Sequence, residues 1–253
     1  MSTFINFLPP PGEAIAAYDP ALSADDQPKS VPSTFIEAMT VRHKVFVEEQ
    51  QVPVEIELDE DDARSFHWVV YASVSVPTQA GERKGSETAT VPVGTIRLVP
   101  PPHPPLVDPG NSPPHERPGA MFSLELIKSA THTSIHYDGK EPYVKLTRVA
   151  TLSAYRGLGL GRLLMDTALA WASQNQDAVL PALSPTSREA AKVEGEPEQR
   201  WQGLVLVHSQ SYIQGMYARA GFQLDEEMGE WEEGGIPHVG MWKRIPIESK
   251  KKH

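Results

Sequence analysis

Residues 156–162 read Arg156-Gly157-Leu158-Gly159-Leu160-Gly161-Arg162, and the fold is decided by what flanks them. Upstream, Tyr143 to Leu152 alternates well enough for a strand, with Val144, Leu146 and Val149 as inward positions. Downstream, Leu160, Leu163, Leu164, Thr167, Ala168 and Trp171 recur at helical spacing, which predicts a helix over Gly159–Asn175. Glycines at the turn from strand to helix let main-chain N–H groups come close to a ligand. The first helical turn directs unpaired donors and a partial positive charge at the same spot. Such a site suits a phosphate or pyrophosphate, and Arg156 and Arg162 can add charge-assisted contacts. The bland alternative is a glycine-rich turn that binds nothing.

Two common phosphate signatures do not fit. A Walker A loop requires Lys and Ser or Thr after its last glycine, and Gly161 is followed by Arg162-Leu163. A dinucleotide fingerprint Gly-x-Gly-x-x-Gly started at Gly157 meets Arg162, and started at Gly159 meets Leu164.

The rest of the chain supplies strands and helices in alternation. From Ser33, a plausible N-cap, Phe35, Ile36, Met39 and Phe46 share a broad face and predict a helix running toward Gln50 and stopped by Pro53. An acidic run, Glu55 to Asp62, precedes the apolar strand His67–Tyr71, and a further strand spans Val93–Val99. Leu204–Val207 reads as a short strand buried on both faces. Ser211–Ala220 reads as a helix ended by Gly221, and two last strands flank Gly234-Gly235. This order predicts an α/β protein built on a mixed sheet. Three stretches, at about 77–92, 100–118 and 176–202, hold most of the 24 prolines and carry no apolar stripe. The expected organisation is an arm over 1–32, one domain over 33–245 decorated by those loops, and a basic tail over 246–253.

Arg156-x-x-Gly159-x-Gly161 matches the Arg/Gln-x-x-Gly-x-Gly/Ala motif by which GNAT (Gcn5-related) acetyltransferases hold the CoA pyrophosphate. Met216-Tyr217-Ala218-Arg219-Ala220-Gly221-Phe222 resembles a second segment of that family, Phe-Tyr-x-x-x-Gly-Phe, at a typical distance. Val41-Arg42-His43-Lys44-Val45-Phe46-Val47-Glu48-Glu49-Gln50-Gln51-Val52-Pro53, followed by Glu57-x-Asp59 and Asp62, is similar to the start of ElaA/YjcF-like members. So is Gly235-Ile236-Pro237-His238-Val239-x-Met241. The resemblance covers roughly residues 33–245 and implies the GNAT acyl-CoA N-acyltransferase fold, a mixed, mostly antiparallel twisted sheet flanked by helices. The arm and the three insertions, which compact bacterial members do not need, lie outside it.

The resemblance implies acetyl-CoA as cosubstrate, with its pyrophosphate on Arg156, Gly157, Leu158, Gly159, Leu160, Gly161 and Arg162. It also implies that the pantetheine arm pairs with the main chain of Val149, Ala150 and Thr151. Tyr217 then corresponds to the tyrosine near the CoA sulfur; a phenol with a pKa of about 10 stays protonated at neutral pH and can donate to a leaving thiolate. Candidate proton acceptors are His238 and His208, each of which equally suits a packed, hydrogen-bonded histidine; a base acting through water, or no strong base at all, would also serve an amine whose pKa is not far above neutral. Asp59, Asp62 and His67 are candidate contacts for a cationic acceptor, although a charge run is more often a solvated loop. Their spacing does not support a metal, and none is expected.

Composition narrows the function further. The absence of cysteine rules out an acyl-cysteine intermediate and makes direct attack in a ternary complex the simpler route. A formal charge of −10 argues against nucleic acid. No stretch approaches a membrane span, and residues 1–20 lack a secretory pattern. A cytoplasmic location is expected, with the nucleus as alternative. The acceptor expected is a small amine such as an amino sugar or polyamine. The alternatives are a protein lysine or N-terminal acetyltransferase and a non-catalytic acyl-CoA sensor. A homodimer is the family's expectation.

Overall fold

The computed structural model describes residues 3–76, 87–104, 106, 132–180 and 200–248. Most of the insertions expected at 77–92, 100–118 and 176–202, and residues 249–253 of the tail, lie outside these. Close contacts gather the chain into two compact units, Met1–Val99 with Leu146–Ala168, and Pro100–Lys145 with Leu169–His253. The expected α/β class, with largely antiparallel strands and flanking helices, is the one observed.

In the first unit the strands β1 (Thr3–Leu8), β2 (Phe66–Val76), β3 (Glu87–Val99) and β4 (Val144–Thr151) lie in that order. The expected N-terminal arm is stitched into this sheet. β1 pairs antiparallel with β2 from Thr3↔Ala72 to Leu8↔His67, and Phe4 stacks on Tyr71 with ring centroids 4.6 Å apart. β3 starts at Glu87, so part of the loop expected over 77–92 is strand. Pro92 is tolerated there because the register shifts beside it, from Val70↔Gly94 to Tyr71↔Pro92, leaving Val93 as the extra residue of a bulge.

Helix α1 (Ser33–Arg42) buries Phe35, Ala38, Met39, Val41 and Arg42. Ser33 is its first residue and not its cap. Pro32 holds the cap position, and its carbonyl accepts from Phe35 N at 2.9 Å and Ile36 N at 3.1 Å. Beyond Arg42 the chain continues as a π-helix, His43–Glu49, then reaches Pro53 and the short helix α2 (Asp61–Arg64). In β4, Val144, Leu146 and Ala150 are buried while Val149, expected inward, is half-buried. Strict alternation from Val144 and Leu146 carries the inward face to Ala150, which leaves Val149 on the opposite face. Helix α3 (Leu160–Gln174) follows the glycine loop within a residue of the expected bounds.

In the second unit β5 (Leu204–Gln210), β8 (Ile236–Arg244) and β6 (Gln223–Leu224) are neighbours in that order, and β7 (Glu230–Glu233) also pairs with β8. Gly234 and Gly235, at φ 60° and 78°, close the β7–β8 hairpin. A two-residue loop with both residues left-handed matches the twist of the flanking strands. The core here includes Tyr137, Tyr143, Leu204, Leu206, Met228 and Trp242. Asp225, itself buried, accepts from His132 Nε2 at 2.9 Å, Ser134 Oγ at 2.8 Å and Trp242 Nε1 at 2.7 Å. The ends of the 176–202 stretch belong to the fold: Gln176–Val179 is a short helix, α4, and Trp201 is fully buried with its Nε1 donating to Leu204 O at 2.7 Å.

Candidate active site

A strand, a tight turn and a helix set up the loop in the first unit. Leu152 N donates to Val93 O at 2.9 Å and ends the run of β4. A 3-10 turn, Ser153–Tyr155, then leads into the glycines. Gly157 and Gly159 have φ of 77° and 78°, and a Cβ on either would meet nothing within 4 Å. Left-handed residues in such loops can turn main-chain N–H groups toward one side, and the space beside both α-carbons is open. Leu160 is buried and anchors the start of α3, whereas Leu158 is 58% exposed. Arg162 pairs with Asp166 one helical turn on, at 2.7 Å.

Arg156 folds back on its own strand. Its Nε donates to Thr151 O at 3.0 Å and its Nη2 meets Glu49 Oε2 at 2.5 Å. Glu49 closes the π-helix and lies within the ElaA-like segment, but no spacing rule in the sequence singles it out as a partner of Arg156. A pocket of about 580 Å³ opens nearby, walled by Leu152, Pro92, Tyr18, Leu22, Ile36 and Met39.

The acidic run turns inward. Asp62 is fully buried and meets Arg42 Nη1 at 2.6 Å and Arg97 Nη1 at 2.8 Å; Glu57 meets Arg42 Nε at 2.5 Å. Burial alone would raise the Asp62 carboxyl, but Arg42 and Arg97 outweigh it and hold it well below the usual carboxylate range. His67 is also fully buried, with its Nε2 donating to Asp62 O at 2.9 Å, and burial pushes its imidazole down to about 4. An amine would have to displace arginines to reach either residue. Among the three expected acceptor contacts only Asp59 keeps partial exposure, 32% of its side chain, and it too is taken by Arg97 and Arg148. The acidic run that resembles an acceptor surface is thus, at Asp62, an interior charge lock, and His67 beyond it is a buried, uncharged imidazole.

In the second unit a 3-10 turn, Ser211–Ile213, precedes helix α5 (Gln214–Arg219), which carries Tyr217. The helix stops on Gly221, at φ 87°. Gly221 N donates to Ala218 O at 2.9 Å, and Phe222 N reaches back to Tyr217 O at 3.1 Å. These are the two bonds of a Schellman stop. The apolar contact that accompanies them is Tyr217 against Phe222, edge to face with centroids 5.7 Å apart. The Tyr-x-x-x-Gly-Phe spacing therefore has a local structural cause. Tyr217 is 4% exposed, and burial raises its phenol above the ordinary value, so it holds its proton at neutral pH.

His208 and His238 come together. In the β5–β8 register His208 opposes Gly240 and Gln210 opposes His238, which puts both imidazoles on one face. Trp231 of β7 stands with them, at 4.9 Å from His208 and 6.4 Å from His238 between ring centroids. His238 Nδ1 contacts Ile236 O at 2.8 Å. A carbonyl only accepts, so Nδ1 carries the proton of this contact. His208 Nδ1 lies 3.5 Å from Glu233 Oε2, its Nε2 is buried without a hydrogen-bond partner, and burial lowers its pKa. Trp231 carried no motif signal.

Among the described residues no group of three or more His, Cys, Asp or Glu could hold a metal ion, and no helix is long and apolar enough to cross a membrane. The profile of the acetyltransferase (GNAT) family matches residues 42–191, more than half of the 253-residue chain. No curated protein matches. Among solved structures, a Lactobacillus plantarum protein described as an N-acetyltransferase is 20% identical, with 96% of this chain and 99% of that chain covered and a TM-score of 0.47. An acyl-CoA N-acyltransferase from Pseudomonas aeruginosa is 20% identical over 96% and 99%, with a TM-score of 0.44. Escherichia coli ElaA is 16% identical over 96% and 100%, with a TM-score of 0.44.

Proposed function

This chain belongs to the GNAT acetyltransferase family, and from that premise we propose that it moves an acetyl group from acetyl-CoA to a small primary amine. Acyl transfer from an acyl-CoA to nitrogen is the activity the family supports. Acetyl as the acyl group, and an amino sugar or polyamine as the acceptor, are the finer parts of the proposal. The observation that carries it is the pair Gly157 and Gly159, both left-handed with open space ahead, set between β4 and α3.

The residues present fit a CoA pyrophosphate. Main-chain N–H groups of 157–162 would hold it together with Arg156, once Arg156 exchanges Glu49 for the ligand. The main chain of Val149, Ala150 and Thr151 would line the pantetheine arm. Bound acetyl-CoA supplies the activated thioester. Tyr217, protonated at neutral pH, would give its Oη proton to the departing sulfur. His238 and His208 are the two candidate proton acceptors, and they stand on one face of the β5–β8 pair. The absence of cysteine supports direct attack by the amine. A net charge of −10 supports a cationic acceptor. We retain one acyltransferase domain, widened from 33–245 to take in the arm whose β1 pairs with β2, and a homodimer within the same proposal, with a cytoplasmic location.

Thiol release from acetyl-CoA, followed across glucosamine, spermidine, amino acids and a histone-tail peptide, tests the reading. Amine-dependent release with one class names the acceptor. Binding of acetyl-CoA with no release for any amine would leave the non-catalytic sensor in its place.

A further inference from the structure

Arg148 joins two features that packing alone does not require. Its backbone is left-handed, φ 52°, inside β4, where a residue with a Cβ carries a steric penalty. Its side chain is committed to the segment after the π-helix: Nη2 donates to Ile56 O at 3.2 Å, Glu57 O at 3.3 Å and Asp59 Oδ2 at 2.9 Å. Asp59 is held in turn by Arg97, through Nη1 at 2.6 Å and Nη2 at 2.9 Å. Arg97 Nε donates to Thr147 Oγ1 at 2.9 Å. Residues 147 and 148 are thus both tied, one directly and one through Arg97, to a single carboxylate. Behind it, buried Asp62 joins Arg97 to Arg42, and Arg42 holds Glu57. Arg42, Arg97 and Arg148 face Glu57, Asp59 and Asp62, so the charges balance within the cluster.

We infer that Asp59 and Arg148 are positioning residues whose ion pair keeps residue 148 left-handed and so sets the direction of the main-chain groups of Val149–Thr151. The inference rests on the reading of those three residues as the track for the pantetheine arm. A left-handed residue inside a strand interrupts the ladder and re-aims the residues that follow. Such a conformation persists where the surroundings over-determine it, and here the clasp on the guanidinium supplies that constraint. The acidic run then acts on the acyl-CoA side of the reaction, through the backbone, and not as a surface for the amine.

Glycine and alanine at position 148 separate backbone from side chain. Both remove the clasp, but only glycine adopts φ 52° without penalty. CoA binding is measured by calorimetry for the wild type, Arg148→Ala, Arg148→Gly, Asp59→Asn and the Asp59→Asn/Arg148→Gly double variant, each with its thermal unfolding midpoint. Arg148→Ala should weaken CoA by about tenfold, the scale of one left-handed penalty. Arg148→Gly should recover most of that loss. Asp59→Asn should weaken CoA severalfold, and adding Arg148→Gly should bring the affinity back while the unfolding midpoint stays lowered. That rescue is a change that a purely structural role would not produce. Equal weakening by alanine and glycine, or no weakening by either, overturns the inference. A wild-type protein that binds no CoA overturns the acyltransferase reading itself, and this inference with it.

Discussion

Tyr217 occupies the helix position whose carbonyl is consumed by the Schellman stop, and its ring packs on Phe222. The main chain beneath the phenol is therefore fixed by bonds that the side chain does not make. Tyr217→Phe keeps the ring contact and removes only the hydroxyl. It should lower kcat by roughly 10²-fold or more if the phenol is the acid, with CoA affinity and unfolding midpoint nearly unchanged; steady-state kinetics and calorimetry on the same sample decide it. An unchanged kcat would remove Tyr217 from the chemistry. At this scale the sequence was legible wherever a residue type is demanded by local geometry, as for Gly157, Gly159, Gly221 and the tyrosine spaced from Gly221. Arg148 was illegible, because a left-handed arginine is made by partners about 90 positions away and leaves no mark in its own neighbourhood. Glu49 was missed for the same reason, its partner Arg156 being likewise distant in sequence.

Among elements, β5, α3 and the Gly234-Gly235 hairpin were readable because periodicity and turn chemistry agree there. The π-helix was not, since α1 and its continuation share one apolar pattern, and the early start of β3 was hidden by Pro92 at a bulge. Glycines divide between elements and loop in a way that predicts opposite phenotypes. Gly203 has φ 88°, and a Cβ there would run into the Ile245 carbonyl. Gly203→Ala should lower stability by roughly 2–4 kcal/mol in urea titrations, from strain and overpacking together. Gly157→Ala meets no atom, so it should cost only about 1 kcal/mol, while CoA binding suffers. If both variants lost stability alike, the open space before the loop would be in doubt.

For the whole molecule, buried titratable groups set how stability depends on pH. Burial pushes His67 down to about 4 and also lowers His208, whereas an unfolded histidine titrates near 6.5. Between those values the unfolded chain takes up protons that the folded one refuses, so stability falls as pH drops from about 6.5 toward 4. Burial would raise Asp62 and Asp59, but Arg42 and Arg97 for the first, and Arg97 then Arg148 for the second, hold them low. Their contribution is complete above about pH 4 and is lost below it as they protonate. The urea midpoint should therefore decline steadily from pH 7 to 4.5. His67→Gln should flatten that slope, removing a dependence worth roughly 3 kcal/mol; an unaltered slope would exclude His67 as its source. Arg156 carries one more consequence for a molecule of net charge −10. With Glu49 already on its guanidinium, the loop resembles an ion-exchange resin supplied loaded with its counter-ion. On the proposed reading of the loop, an anion would enter by exchange, ranked against a tethered carboxylate at high local concentration. Chloride would lose that comparison, and a pyrophosphate, with more charge and more oxygens to offer the loop at once, would win it. Selectivity against the commonest small anions would then be set before any contact with the rest of a nucleotide is made.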